Sequence, residues 1–170
     1  MILSDEQIRN MIKERGIIEN YINLEKQLQP SGFDLTLDKV YAYQESGTID
    51  FDNSKRVIAK TKRIFSNKKN GYILKLGSYL AEFNEVLKIP INVVGISNQR
   101  SSLMRNGVIC PVGFWDRGYN GKGYTNLIVL NRHGFKVFRN ARICQIMFHT
   151  GFVGETGYNG AFQKENIKHE

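Results

Sequence analysis

The sequence predicts a mainly β fold, an antiparallel barrel or sandwich preceded by one short N-terminal helix. Three observations carry that reading. The second half is a series of short β-rich runs, "GYILKLGSYLAEF", "NVVGISN", "NLIVLN", "FKVF" and "ARICQIMFHT", separated by Gly, Asn, Pro or charged turns. Such close spacing suits antiparallel strands and leaves no room for alternating βαβ units. A chain of 170 residues that is 41% hydrophobic and free of low-complexity tracts fills one core and is short for two. Only the first segment has a sustained helical period.

That segment, "LSDEQIRNMIKERG", places Ser4 as N-cap with Gln7 as its capping-box partner, repeats Ile8, Met11 and Ile12 at helical spacing, and offers Gly16 as a stop. Next, Pro30 and Gly32 make a turn, and Phe33, Leu35 and Leu37 then alternate with Asp34, Thr36 and Asp38 as a strand does. From Tyr41 to Asn70 polar and charged residues dominate, so an exposed excursion is expected, with "SNKKNG" as a hairpin tip. "RSSLMRNG" interrupts the β runs with enough helix formers for a turn or two. The barrel domain is expected to span residues 1–154. The Gly-rich, polar stretch 155–170 then forms a mobile tail.

Composition excludes several classes. There is no run of about eighteen apolar residues to span a membrane, and the acidic start "MILSDEQIRN" lacks a signal peptide's features. A cytosolic protein with no membrane partner is expected. Cys110 and Cys144 lie in apolar runs without zinc-site spacing, and His133, His149 and His169 are scattered, so no protein-built metal site is expected. The net charge of +8 suits a polyanionic partner. From Val86 to Gly154 the only acid is Asp116, among Lys88, Arg100, Arg105, Arg117, Lys122, Arg132, Lys136, Arg139 and Arg142.

Two stretches can carry chemistry. "NQRSSLMRNG" offers Arg100, Ser101, Ser102 and Arg105 after a strand, a set suited to a phosphate chain, and equally an ordinary Ser-capped helix with solvated arginines. "GFWDRGYNGKG" holds four glycines, the only Trp (Trp115) and Asp116. Asp116 is either a turn aspartate bonded to Gly118 or nearby N–H groups, or a group that orders an attacking water. Tyr119 and the strands flanking this turn, with Tyr124, Thr125 and Asn126 on the outgoing side, can bracket a flat ring. Trp115 and Phe114 should face opposite sides, one into the core.

Taken together, these segments resemble the dUTPase and dCTP deaminase superfamily. "MILSD" resembles the opening of its deaminase branch, "SGFDLTL" an Asp-Leu strand motif, "RSSLMRNG" the phosphate-binding motif RSSLARxG, and "WDRGYNG" the D-x-G-Y-x-G signature. "NARICQIMF" resembles the late strand G-x-R-I-A-Q, and "YNGAFQ" the tail motif Y-x-G-K-Y-Q, with Ala161 and Phe162 as departures. The resemblance implies a distorted antiparallel β-barrel of the dUTPase-like (β-clip) kind, with a short helix after the RSSLMR motif. It implies a homotrimer with nucleotide sites between subunits. Arg100, Ser101, Ser102, Arg105 and Gln145 would hold the triphosphate, and Asp116 would activate water. Tyr119 would lie by the deoxyribose where a ribose 2′-hydroxyl does not fit. Tyr158, Phe162, Gln163 and Lys164 would belong to a lid, and Mg²⁺ would be held mainly by the phosphates.

The resemblance also separates two reactions. Deaminases of this superfamily carry an essential Glu about ten residues after the Asp as general acid–base. Here that position is Asn126, or Ile128 when aligned on Asn131. Neither can shuttle a proton, so hydrolysis of dUTP to dUMP and pyrophosphate is expected. Deamination of dCTP, or nucleotide or nucleic-acid binding without catalysis, are the alternatives.

Overall fold

The computed structural model describes residues 1–67, 69–111, 113–151 and 154–167. The fold is mainly β, 42% strand against 12% helix, and its main sheet curls into an antiparallel half-barrel. Helix α1 (Asp5–Arg15) begins and ends where local chemistry directs. Ser4 Oγ accepts from Gln7 N at 3.3 Å, Gln7 Oε1 accepts from Ser4 N at 2.9 Å, and Gly16 closes the helix at φ 59°. Ile8 and Ile12 dock it on the core. After β1 (Ile18–Glu19), a one-turn helix α2 (Leu24–Gln27) had no signal in the sequence pattern beyond its cap, Asn23, whose Oδ1 accepts from Lys26 N.

A short β2 (Leu28–Gln29) leads into β3 (Gly32–Tyr43), which is central and covered on both faces. Phe33, Leu35 and Leu37 are buried as the alternation predicted, but so are Asp34, Thr36 and Asp38 on the other face. Beyond β3 the exposed excursion covers 44–60, shorter than the expected span, because β4 (Thr61–Ile64) returns to pair with Val40–Tyr43. At "SNKKNG", of which Lys68 lies outside the described residues, Asn70 N donates to Asn67 O at 2.9 Å, but no hairpin results: β5 (Gly71–Leu74), which follows, does not pair with β4. The run "GYILKLGSYLAEF" also splits, at Lys75–Leu76, into β5 and β6 (Gly77–Phe83), and β6 opens on Gly77, whose φ of 145° belongs to glycine.

The chain continues through β7 (Val86–Lys88), β8 (Val93–Gln99), helix α3 (Ser101–Arg105), β9 (Val108–Ile109), β10 (Phe114–Trp115), β11 (Asn120–Gly121), β12 (Tyr124–Val129), β13 (Phe135–Phe138) and β14 (Arg142–Thr150). Helix α3 lies within the RSSLMR segment and not after it. The main sheet runs β10-β8-β14-β3-β6-β12-β9, with β2 and β4 attached to β3, while β1-β7-β11 and β13-β5 form two small sheets. All pairs are antiparallel. Among the described residues no helix is long and apolar enough to cross a membrane.

Two buried carboxylates on this frame show how polar groups are accommodated. Glu85 takes Gln27 Nε2 at 2.7 Å, Thr36 N at 2.8 Å and Thr36 Oγ1 at 2.5 Å, tying α2 to β3, and burial pushes its carboxyl up. Asp38 meets Lys122 Nζ at 2.7 Å, Arg139 Nη2 at 2.7 Å and Lys39 Nζ at 3.4 Å. Burial opposes its ionisation, but the Lys122 hydrogen bond and the three cations outweigh burial and leave the carboxyl below its ordinary value. A carboxyl depressed in the folded state stabilises fully above the ordinary aspartate range and loses that contribution as pH falls towards the folded value. Asp38→Asn is therefore expected to cost about 3 kcal/mol in urea denaturation at neutral pH. The deficit should shrink at acid pH; an equal deficit at both would show that charge is not what Asp38 supplies.

Candidate active site

The segment 113–123 is the centre of the site, and it is not a hairpin. Its first arm, β10, pairs with β8 (Trp115 opposite Gly95), whereas its second, β11, pairs with β7 (Gly121 opposite Leu87). Between them Asp116 O accepts from Tyr119 N at 3.1 Å, with Gly118 at φ 78°. Bonds from Gly118 N to Ile89 O and from Ile89 N to Tyr119 O draw the second arm to the other sheet.

Trp115 is the anchor. Its indole Nε1 donates to buried Ser97 Oγ at 3.1 Å, and its ring lies against Gly123, where a Cβ would collide with the six-membered ring. Phe114, next in sequence, faces out and is 61% exposed. From Trp115 an aromatic series runs to Phe83 (centroids 6.2 Å) on one side and to Tyr119 (5.2 Å) and Tyr158 (5.7 Å) on the other. Two small cavities flank it. One, of about 170 Å³, is lined by Asp116, Tyr119, Tyr124, Tyr158, Phe162 and Glu165. The other, of about 150 Å³, is lined by Phe83, Ser97, Pro111, Tyr124, Thr125 and Asn126. Trp115 and Tyr124 belong to both.

Asp116 does not act as a turn aspartate. Its main-chain oxygen closes the turn, while its carboxylate is exposed and, among the described residues, takes no hydrogen bond or ion pair. Tyr119 is buried, with its hydroxyl donating to Glu165 Oε1 at 2.8 Å. Tyr124 donates to Asn166 Oδ1, Thr125 Oγ1 to Pro111 O, and Asn126 Oδ1 accepts from Tyr43.

The phosphate candidates form a separate cluster. Arg100 is the N-cap residue of α3 but provides no side-chain cap, and Ser101 and Ser102 stand exposed at the helix start. Arg100 Nε lies 3.3 Å from Asp34 Oδ2, which also receives Arg142 Nη1 at 3.2 Å. Burial pushes the Asp34 carboxyl up, and the two arginines only partly oppose it. Gln145 sits opposite Asp34 in the β14–β3 ladder, and Arg105 is exposed. None of these residues lines either cavity of the aromatic series. Arg100 is five residues beyond Gly95, the partner of Trp115, which at strand rise is roughly 16 Å.

The tail is docked along residues 118–122. Asn120 N donates to Gln163 Oε1 (2.8 Å), Gln163 Nε2 to Gly118 O (2.9 Å), Lys164 N to Asn120 O (2.7 Å) and Lys122 N to Glu165 O (2.9 Å). Tyr158 N bonds Arg117 O, and Phe162 lies 6.0 Å from the Arg56 guanidinium. Residues 168–170 of the proposed tail lie outside the described residues. Sequence reasoning missed Glu165, Asp34, Arg142 and Ser97. Asp34 lies in a quoted motif, but Glu165 falls outside the acid-poor stretch and reaches Asp116's cavity only through tail docking. Burial pushes its carboxyl up, a nearby Glu82 adds to this, and the Tyr119 hydroxyl opposes it.

The fold and site define the class. The chain belongs to the dCTP deaminase-like family, whose model matches residues 2–151. It is 39% identical over 167 residues to a probable deoxyuridine 5′-triphosphate nucleotidohydrolase of Methanosarcina mazei, covering 97% of this chain and 98% of the relative. A deoxyuridine 5′-triphosphate nucleotidohydrolase of Methanocaldococcus jannaschii is 36% identical over 125 residues, 73% of this chain and 79% of that one. The crystal structure of 2′-deoxycytidine 5′-triphosphate deaminase from Agrobacterium tumefaciens shares the fold at a TM-score of 0.69 and 24% identity, over 88% of this chain and 48% of the other.

The fit of Trp115 against bare backbone yields a direct test. Gly123→Ala is expected to displace the indole and cost about 1–3 kcal/mol. Because Trp115 is the only tryptophan, its fluorescence reports the displacement; unchanged stability and emission would refute the packing described.

Proposed function

We propose that the chain hydrolyses dUTP to dUMP and pyrophosphate. The observation that carries this is the Asp116 carboxylate, exposed and without a bond partner among the described residues, at the rim of an aromatic cavity, with no acid at position 126 or 128 to serve deamination. Asp116 accepts a proton from, and orients, a water that attacks the α-phosphorus. The new P–O bond forms as the bridging oxygen to the β-phosphorus leaves with pyrophosphate. Tyr119 walls the sugar, and Tyr124, Thr125 and Asn126 border the base in the adjoining cavity. Tyr158, Phe162, Gln163 and Lys164 cover the site.

Arg100, Ser101, Ser102, Arg105 and Gln145 bind the triphosphate, supplied by a neighbouring subunit of a homotrimer. Their separation from Asp116 within one chain supports this division. The substrate is the magnesium complex of dUTP, in which Mg²⁺ offsets charge on the phosphates.

Incubation with dUTP, dCTP or dTTP and Mg²⁺, assaying pyrophosphate and ammonia separately, tests the reading. Pyrophosphate from dUTP is expected; ammonia from dCTP would favour deamination, and neither product a binding module. Asp116→Asn should lower turnover by about 10³-fold while nucleotide still quenches Trp115; retained turnover would remove Asp116 from its role. For the shared site, Asp116→Asn and Arg105→Ala proteins, each inactive alone, should regain activity when unfolded and refolded together. Failure to complement would place both halves of the site in one subunit.

A further inference from the structure

We propose that Glu165 is a positioning residue for Tyr119, so that docking of the tail and rejection of ribonucleotides are one event. The inference rests on the dUTP-hydrolase reading above and deepens it. Tyr119 is buried at 5% exposure, between the rings of Trp115 and Tyr158, and its only polar atom outside the backbone donates to Glu165 Oε1 at 2.8 Å. Ring packing fixes the plane of such a side chain, and the hydroxyl bond fixes where its far end stands.

Glu165 is itself held by main-chain bonds on both sides of Tyr119. Lys122 N donates to Glu165 O, Lys164 N to Asn120 O, and the Gln163 amide spans Asn120 N and Gly118 O. Gly121 is shaped for this pair: a Cβ there would lie 2.5 Å from Tyr119 Oη and 3.3 Å from Glu165 Cγ. A carboxyl group in a cavity that also holds Asp116 is unfavourable for an anionic substrate, so its presence calls for a specific use. Accepting the Tyr119 hydroxyl is that use. With the tail undocked, the acceptor leaves and the end of the ring is released; with it docked, the ring is a fixed wall beside the sugar. Glu165 touches neither the reacting phosphorus nor the water, and acts through Tyr119.

The test compares kcat/KM for dUTP and UTP in wild type, Glu165→Ala, Glu165→Gln, Tyr119→Phe and the Glu165→Ala/Tyr119→Phe double variant, with thermal unfolding as a check on folding. Glu165→Ala should narrow discrimination against UTP by about tenfold, and Tyr119→Phe should do the same. The double variant should be no worse than either single one, because both remove one bond. Glu165→Gln keeps a carbonyl acceptor and should retain most of the discrimination. Unchanged discrimination in Glu165→Ala, an additive loss in the double variant, or no rescue by Gln would overturn the proposal. A wild-type enzyme that fails to cleave dUTP would instead overturn the reading beneath it.

Discussion

The contact of Trp115 with Gly123 is the constraint on which the rest of the site depends. An indole can lie on the backbone only where no Cβ intervenes, and a residue-95 side chain would also meet both Trp115 and Ile146. Glycine at both positions lets the largest side chain of the segment fill the gap between β8 and the start of β12. Its Nε1 is satisfied by Ser97, which also bonds the main chain of Gly113 on both sides, so the burial leaves no orphaned donor. With the indole fixed, the next residue, Asp116, must emerge at the rim, and the turn that follows must carry Tyr119 back against the ring. Asp116 is thus positioned by the packing of its neighbour, with no side-chain bond among the described residues, which leaves the carboxylate open to a ligand or a water.

Electrostatics follow from the fold more than from the composition. In sequence, Asp116 is the sole acid of a basic stretch; in space, that stretch is met by acids from elsewhere. Asp34 on β3 takes Arg100 and Arg142, Asp38 takes Lys122 and Arg139, Glu82 takes Lys39 and Lys122, and Glu19 takes Lys88. The two buried β3 aspartates therefore act as fixed counter-ions beneath the cations. For Arg100 the effect is orientation: pinned by Asp34 through Nε, its guanidinium still has donors to offer at the start of α3. Part of the positive surplus is consumed inside the fold, while among the described residues Arg105, Arg117, Arg132 and Lys136 take no ion pair and remain for an anion outside it.

What was legible in the sequence was what local chemistry determines. The α1 capping box and Gly16, the alternation of β3, and the β8, β13 and β14 runs are read correctly because their signals lie within a few residues of their effects. The split of "GYILKLGSYLAEF" was hidden, since it depends on β13 capturing β5 while β3 and β12 take β6. The partners of the two arms of 113–123 were hidden for the same reason: its glycines announce tight turns and close approaches, but not which strand each arm will join. Glu165 was invisible because the tail's few apolar residues gave no sign that it docks by main-chain bonds. The opposed outward and inward directions of Phe114 and Trp115, by contrast, follow from strand pleating alone.

The surface between the two clusters bears on how they work together. One chain sets Arg100 roughly 16 Å along β8 from Gly95, the residue paired with Trp115, and neither cavity beside Trp115 reaches Arg100 or Arg105. Phe114, Met104 and Leu130 are each more than half exposed, and Ile109 is 44% exposed. Exposed apolar side chains of this size are accounted for where a partner surface covers them. In the homotrimer proposed above, a neighbouring copy whose α3 lay against Phe114 would cover apolar area and carry arginines to the cavity in the same contact. The same pleat turns Trp115 into the core beside Asp116 and leaves Phe114 61% exposed at the surface.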